Sequence, residues 1–270
     1  MYLEMRPTAH ISPALFSKLG PSPVATRGTS VTTNNDNNGG RQAESDRRYE
    51  IMRDKYKYIG PVYDFLSNLY SGKSIHHCKT AMLDVETVKP GDRILFAGVG
   101  HGRDAIRAAE LGADVTVVDL SETMLRKFSD ALAKEAPQLA IRQVHSDIMK
   151  VAEFEQYDMV VANFFLNVFD EDMMVSVLEH LIRLGKADAR VVVGDFSYPN
   201  GNLVARLFKK AYWYVAVFIF WLFANNAFHK IYNYPEHMQR LGLKVTEKKH
   251  FKLLNMNCYW SILGEKQAQN

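Results

Sequence analysis

Short apolar runs alternate with longer amphipathic stretches through the middle of the chain. The runs at 93–97 (Arg-Ile-Leu-Phe-Ala), 114–118 (Asp-Val-Thr-Val-Val), 139–144, 157–162 (Tyr-Asp-Met-Val-Val-Ala) and 190–196 are rich in β-branched residues. That pattern suits strands buried on both faces of a parallel sheet. Between the runs, amphipathic spacing predicts helices at about 102–111, 121–135 and 170–184. Strand–helix alternation at this spacing predicts right-handed βαβ units: an α/β fold with helices on both faces of the sheet. The alternation breaks after 243, where Leu243–Phe251 and Asn257–Leu263 read as two strands of a terminal antiparallel hairpin.

Two segments stand apart from this pattern. Residues 1–45 have no apolar periodicity and include Thr33-Asn-Asn-Asp-Asn-Asn-Gly-Gly40, so they read as a disordered leader, with the folded domain spanning 46–270. The leader sets Arg6, Lys18 and Arg27 against Glu4 alone in its first 35 residues, a charge balance shared by unstructured tails and organelle transit peptides. The second segment, 211–224, is fourteen apolar residues in a row, preceded by Lys209-Lys210. A membrane span needs about 20. The run therefore reads either as a core or lid helix or as an interfacial patch that reaches lipid or a greasy substrate.

Composition narrows the function classes. With 270 residues, 47% hydrophobic and 23% charged, the chain has the balance of a soluble globular protein large enough to form its own core. A net charge of +3 is too small for a dedicated nucleic-acid binder. Cys78 and Cys258 form no C-x-x-C pair, which excludes zinc fingers and redox dithiols and suits a reducing, cytoplasmic setting, peripheral to a membrane if the apolar run is interfacial. No metal site is expected.

The chemistry concentrates at the ends of the predicted strands. The first runs into Gly98-Val99-Gly100-His101-Gly102-Arg103-Asp104, where glycines permit a tight strand-to-helix turn and the following helix offers unpaired N–H groups. A dinucleotide fingerprint, G-x-G-x-x-G, would need glycine at 103, so an NAD-dependent dehydrogenase is disfavoured. Asp119 closes the second strand, where a carboxylate accepts from ribose hydroxyls. Leu120 follows it, Ser121 can cap the next helix, and Met124 offers a polarizable contact to an adenine face as well as a core position. At the third strand end Asp147 can accept from an adenine amino group and the Ile148 N–H can meet a ring nitrogen. Asn163 closes the fourth strand.

These residues resemble the class I S-adenosylmethionine-dependent methyltransferases, through the G-x-G-x-G loop (Gly98, Gly100, Gly102), the acid after the second strand (Asp119) and the Asp after the third (Asp147). The resemblance covers about 56–265. It implies a Rossmann-like doubly wound seven-stranded sheet and S-adenosyl-L-methionine as cofactor, lined by Gly98, Val99, Gly100, His101 (through its backbone), Gly102, Asp119, Leu120, Met124, Asp147, Ile148 and Asn163. Within the class, Tyr63-Asp64 to Ser71 and Asp195-Phe196-Ser197-Tyr198-Pro199 are similar to stretches of the ubiquinone/menaquinone C-methyltransferases. That narrower resemblance implies Tyr63 and Asp64 as catalytic candidates, ahead of His76, His77, Tyr212 and His229, and a small lipophilic, quinone-like methyl acceptor. A phospholipid N-methyltransferase, a small-molecule thiol methyltransferase and a non-catalytic S-adenosylmethionine-binding or assembly protein are the alternatives. The chain departs from the family at Phe96, where the family has an acid two positions before the first glycine. Arg103 and Asp104 are the candidates to replace it. It departs also at Cys78, in place of a tryptophan before Lys79, and at 253–260, where a glycine-rich stretch is absent.

Overall fold

The computed structural model describes residues 74–199, 203–204, 206–211, 213–214, 230–253 and 256–267. The proposed leader, the stretch with Tyr63 and Asp64, and residues Tyr212, 215–224 and His229 lie outside the described residues. Seven strands form one sheet: β1 (Arg93–Ala97), β2 (Asp114–Asp119), β3 (Arg142–His145), β4 (Tyr157–Asn163), β5 (Gly185–Phe196), β6 (Leu243–Leu253) and β7 (Met256–Lys266). Their order is β3-β2-β1-β4-β5-β7-β6. The first five are parallel, and β7 runs antiparallel between β5 and β6. The order reverses between β1 and β4, which places a crevice beyond the carboxyl ends of those strands.

The helices are α1 (74–80), α2 (Arg103–Glu110), α3 (Glu122–Glu135), α4 (Glu171–Leu184), α5 (helical residues between 203 and 214) and α6 (Tyr234–Arg240). Single residues of each central strand alternate between two cores. Leu95, Ala97, Val160, Val191 and Val193 join Met174, Val177, Leu178 and Leu181 of α4 on one face. Ile94, Phe96, Val115, Val117, Met159 and Val161 join Ala105 and Ala108 of α2 and Leu125 and Phe128 of α3 on the other. Continuous apolar runs are thus required, because both sides of every pleat are removed from water. Each aliphatic side chain so buried stabilises by about 1.5–3 kcal/mol.

The terminal hairpin forms as expected. Two strands differ from expectation. The run at 139–144 begins its ladder only at Arg142, because Ile141 and Leu139 pack against the α2–α3 core as the chain leaves α3. The strand lies at the sheet edge with mostly exposed side chains, so it is not buried on both faces. Expected over 190–196, β5 instead starts at Gly185, directly after α4. The added strand residues pair with β4 across a register irregularity between Tyr157 and Met159, where Lys186 Nζ meets Asp158 Oδ1 at 2.6 Å. The α6 helix has no counterpart among the predicted elements.

Candidate functional site at the carboxyl ends of the strands

The glycine loop is stabilised by conformation, space and one carboxylate. Gly98, Gly100 and Gly102 have φ of +76°, +49° and +67°, which side-chain-bearing residues rarely adopt. Space adds a second reason: a Cβ on Gly102 would stand 2.0 Å from the Phe128 ring and one on Gly98 2.8 Å from the Phe165 ring. The carboxylate is Asp119. Its Oδ2 accepts from Val99 N–H at 2.9 Å and its Oδ1 from Ser121 N–H at 2.8 Å, so one side chain joins the loop to the start of α3. Burial pushes its carboxyl above the usual range, and the two N–H donors oppose that shift. Each oxygen retains a second acceptor position for a ligand hydroxyl.

Both α3 and α4 carry N-terminal side-chain caps, from Ser121 to Met124 N–H at 3.3 Å and from Asp170 to Met173 N–H at 3.0 Å. In contrast, α2 starts at Gly102 without a side-chain cap, beside the loop. Its first turn holds Asp104, buried at the crevice floor. Asp104 Oδ2 accepts from Asn163 Nδ2 at 2.9 Å, and the same amide donates to the Lys79 carbonyl at 2.9 Å. Asn163 Oδ1 is buried without a partner. Gly194 makes room for it, since a Cβ there would lie 2.4 Å from that oxygen. The Lys79 ammonium stands over the loop, 3.2 Å from the position of a Cβ on Gly100 and 5.9 Å from the Phe164 ring centroid.

An aromatic wall adjoins these polar groups. Phe164 follows Asn163 with φ of +54°, a left-handed backbone unusual for a bulky residue and found preferentially at functional sites. Its N–H donates to the Gly194 carbonyl at 2.7 Å, and its ring meets Phe196 at 5.7 Å and Tyr259 at 5.9 Å. Trp213 of α5 packs on Phe196 at 4.7 Å. Behind the wall lies Asp195, almost fully buried, accepting from Asn167 Nδ2 at 2.8 Å, Tyr234 Oη at 2.8 Å and Phe196 N–H at 2.7 Å. Burial raises its carboxyl to about 7 against those three donors. Burial first, and Asp195 second, also push the Cys78 thiol well up, and Cys78 Sγ donates to the Trp260 carbonyl at 3.1 Å.

The sequence-predicted residues fall into three groups. Gly98, Gly100, Gly102, Asp119, Asn163 and the backbone of Val99 meet at the crevice, with His101 exposed beside it, while the Val99 side chain is core. Asp147 and Leu120 hold the neighbouring strand ends in place. Asp147 Oδ1 caps the turn Ile148–Lys150 through Met149 N–H at 2.9 Å, and the Leu120 carbonyl meets His145 Nε2 at 3.0 Å. The side chains of Met124 and Ile148 are buried in the two cores, so any ligand contact from Ile148 is through its backbone. Of the two candidates to replace the acid at 96, Asp104 sits at the crevice. Arg103 does not: its guanidinium lies 3.7 Å from Glu135 and lines an open groove of about 480 Å³ with His76, Thr80 and Asp84. Phe96 itself is core. Asn167 and Tyr234 were not singled out from the sequence, and Lys79 entered only as the lysine after Cys78 with no site role, because only folding brings them to the strand ends.

Residues 94–217 match the family described as a methyltransferase domain. Over that stretch the chain is similar to methyltransferase domains. The chain is 26% identical over 163 residues to the ubiquinone/menaquinone biosynthesis C-methyltransferase UbiE of Teredinibacter turnerae, covering 57% of this chain and 61% of that one. It is 35% identical over 170 residues to the ribosomal protein L11 methyltransferase of Desulfitobacterium hafniense, covering 59% and 52%. The chain thus spans about three fifths and about half of these relatives' lengths. In fold it is similar to magnesium protoporphyrin IX methyltransferase of Synechocystis with bound S-adenosylhomocysteine, at TM-score 0.59 and 19% identity over 81% of this chain and 99% of that one. It is also similar to 1,6-didemethyltoxoflavin-N1-methyltransferase of Burkholderia thailandensis, at TM-score 0.56 and 15% identity over 89% and 93%. No group of three or more potential metal ligands occurs, and no helix is long and apolar enough to cross a membrane, among the described residues.

Proposed function

We propose that the chain transfers a methyl group from S-adenosylmethionine to a small, lipophilic, quinone-like acceptor. The observation that carries this reading is the glycine loop braced by Asp119, with Asp104, Asn163 and Lys79 gathered at one end of it. The residues fit such a cofactor. The loop glycines leave bare backbone where any Cβ would intrude, and Asp119 keeps acceptor capacity for ribose hydroxyls. Lys79 suits the carboxylate of the methionine end, and Asp104 suits its ammonium in place of the acid missing at 96. When bound, the sulfonium supplies the electrophilic methyl carbon.

The chain's own residues then have to hold an acceptor in line and keep water out. Phe164, Phe165 and Phe196 provide flat apolar surface for an aromatic acceptor, which, together with the relatives named for ubiquinone and menaquinone biosynthesis, favours a quinone-like ring. Tyr63 and Asp64 are the proposed proton-handling groups on the acceptor side, by family resemblance. The test is mass spectrometry of lipid extracts incubated with the protein and a methyl-labelled donor. A labelled product heavier by one methylene supports the reading. Donor binding without any labelled product would favour the non-catalytic alternative.

A further inference from the structure

The α5 helix is apolar on two sides. Inward, Trp213 is buried against Phe196, and Lys209 and Phe208 are largely covered. Outward, Leu203, Val204, Leu207 and Tyr214 are 69%, 75%, 59% and 41% exposed. Leu203, Leu207 and Tyr214 follow each other at i, i+4 and i+11, a single stripe along the helix, where a surface helix ordinarily carries polar residues. Arg206 and Lys210 are exposed beside that stripe, four residues apart. Charge identifies the occupant. From Phe196 to Pro235 the chain contains no Asp or Glu; Lys209 is buried and Lys230 pairs with Glu171 at 2.8 Å, so the charge on the outer face of α5 is that of Arg206 and Lys210. A protein partner would be selected by paired charges of both signs around an apolar centre. A stripe of aliphatic side chains and a tyrosine flanked by cations alone matches the acyl boundary and phosphates of an anionic bilayer.

We propose that the outer face of α5 seats the chain in the plane of an anionic membrane surface, with Leu203, Val204 and Leu207 at the acyl boundary and Arg206 and Lys210 on headgroup phosphates. Because α5 reaches the strand-end crevice through Trp213 and Phe196, this seating presents that crevice to molecules dissolved in the bilayer. The use of the seat rests on the methyl-transfer reading; the docking itself does not.

The test is co-sedimentation of the full chain with vesicles of phosphatidylcholine alone or mixed with phosphatidylglycerol, without donor or acceptor. Binding is expected to the phosphatidylglycerol vesicles, weakened by salt. Replacing Arg206 and Lys210 by Gln is expected to weaken it about fivefold per cation. Leu203→Glu with Leu207→Glu is expected to weaken it by more than about tenfold. All four positions are exposed, and S-adenosylhomocysteine titration of each variant reports whether the fold is kept. Binding that is absent, or indifferent to both variant pairs, would overturn the proposal. So would a concentration-dependent dimer in sedimentation velocity that Leu207→Glu dissolves, because the stripe would then be a protein interface. Donor binding is read separately, so loss of either result leaves the other standing.

Discussion

Replacing Asp119 with Ala tests the link between loop geometry and ligand binding. The substitution removes two acceptors, leaving Val99 N–H and Ser121 N–H without the partners they hold at 2.9 and 2.8 Å. A hydrogen bond to a charged group contributes about 1.5–3 kcal/mol. Part of that gain offsets the burial that raises the carboxyl, so the expected loss of stability is about 2–4 kcal/mol. Urea unfolding should show it as a lower midpoint at unchanged slope. The proposed ribose contact depends on the same oxygens. Losing two charge-assisted bonds from bound ligand corresponds to about 3 kcal/mol or more, a drop of at least about 100-fold in affinity. Asp119→Asn keeps one acceptor and should fall between. Calorimetric titration with S-adenosylhomocysteine and urea unfolding on the same preparations separate the two effects. A variant that loses stability yet binds S-adenosylhomocysteine as the wild type does would reduce Asp119 to a loop brace and refute the ribose contact.

Three further outcomes follow from the same geometry. Gly102→Ala combines a left-handed backbone with a Cβ 2.0 Å from Phe128 and should cost about 2–5 kcal/mol. Gly91→Ala, at φ +86° with no atom within 4 Å, should cost only about 1–2 kcal/mol, and thermal unfolding compares them. Phe96→Glu restores the acid of the related family but puts it in the core beside Val117 and Val161. It should lower the unfolding temperature strongly without raising affinity for S-adenosylhomocysteine; a folded variant with tighter binding would show that Asp104 has not taken over that role. Asp195 has a raised carboxyl, so between its ordinary value of 3.8 and about 7 the folded state binds more protons than the unfolded state. The stability it contributes is therefore present below that window and is lost as pH rises through it. Asp195→Asn should flatten this dependence in urea unfolding measured on either side of the window, and an unchanged slope would contradict the assignment.

Legibility in the sequence followed the physics of burial. The run 93–97 matches β1 residue for residue, because a central strand covered on both faces is apolar from Ile94 to Ala97, with only Arg93 at its open end. The run 139–144 predicts its strand poorly, because Leu139 and Ile141 serve the helix–strand junction while the edge ladder tolerates the polar Arg142 and Gln143. The short α6 helix starts beside Pro235 and has too few turns for a periodic signal. At the site, the glycine loop is a local turn whose left-handed backbone the glycines permit, whereas Asp119 stands at the end of the apolar run that forms β2 and meets the loop through the Val99 N–H twenty residues earlier. Lys79, and the pairing of Asp104 with Asn163, depend on segments distant in sequence meeting at the loop. Arg103, equal to Asp104 as a candidate by position alone, is carried to the other side by the first turn of α2.

The central claim is that this crevice binds S-adenosylmethionine, and titration calorimetry of the unmodified chain with S-adenosylhomocysteine tests it most directly. One site per chain, displaced by S-adenosylmethionine and indifferent to NADH, is the predicted result. Absence of binding by either sulfur nucleoside, or binding of NADH in their place, would contradict it.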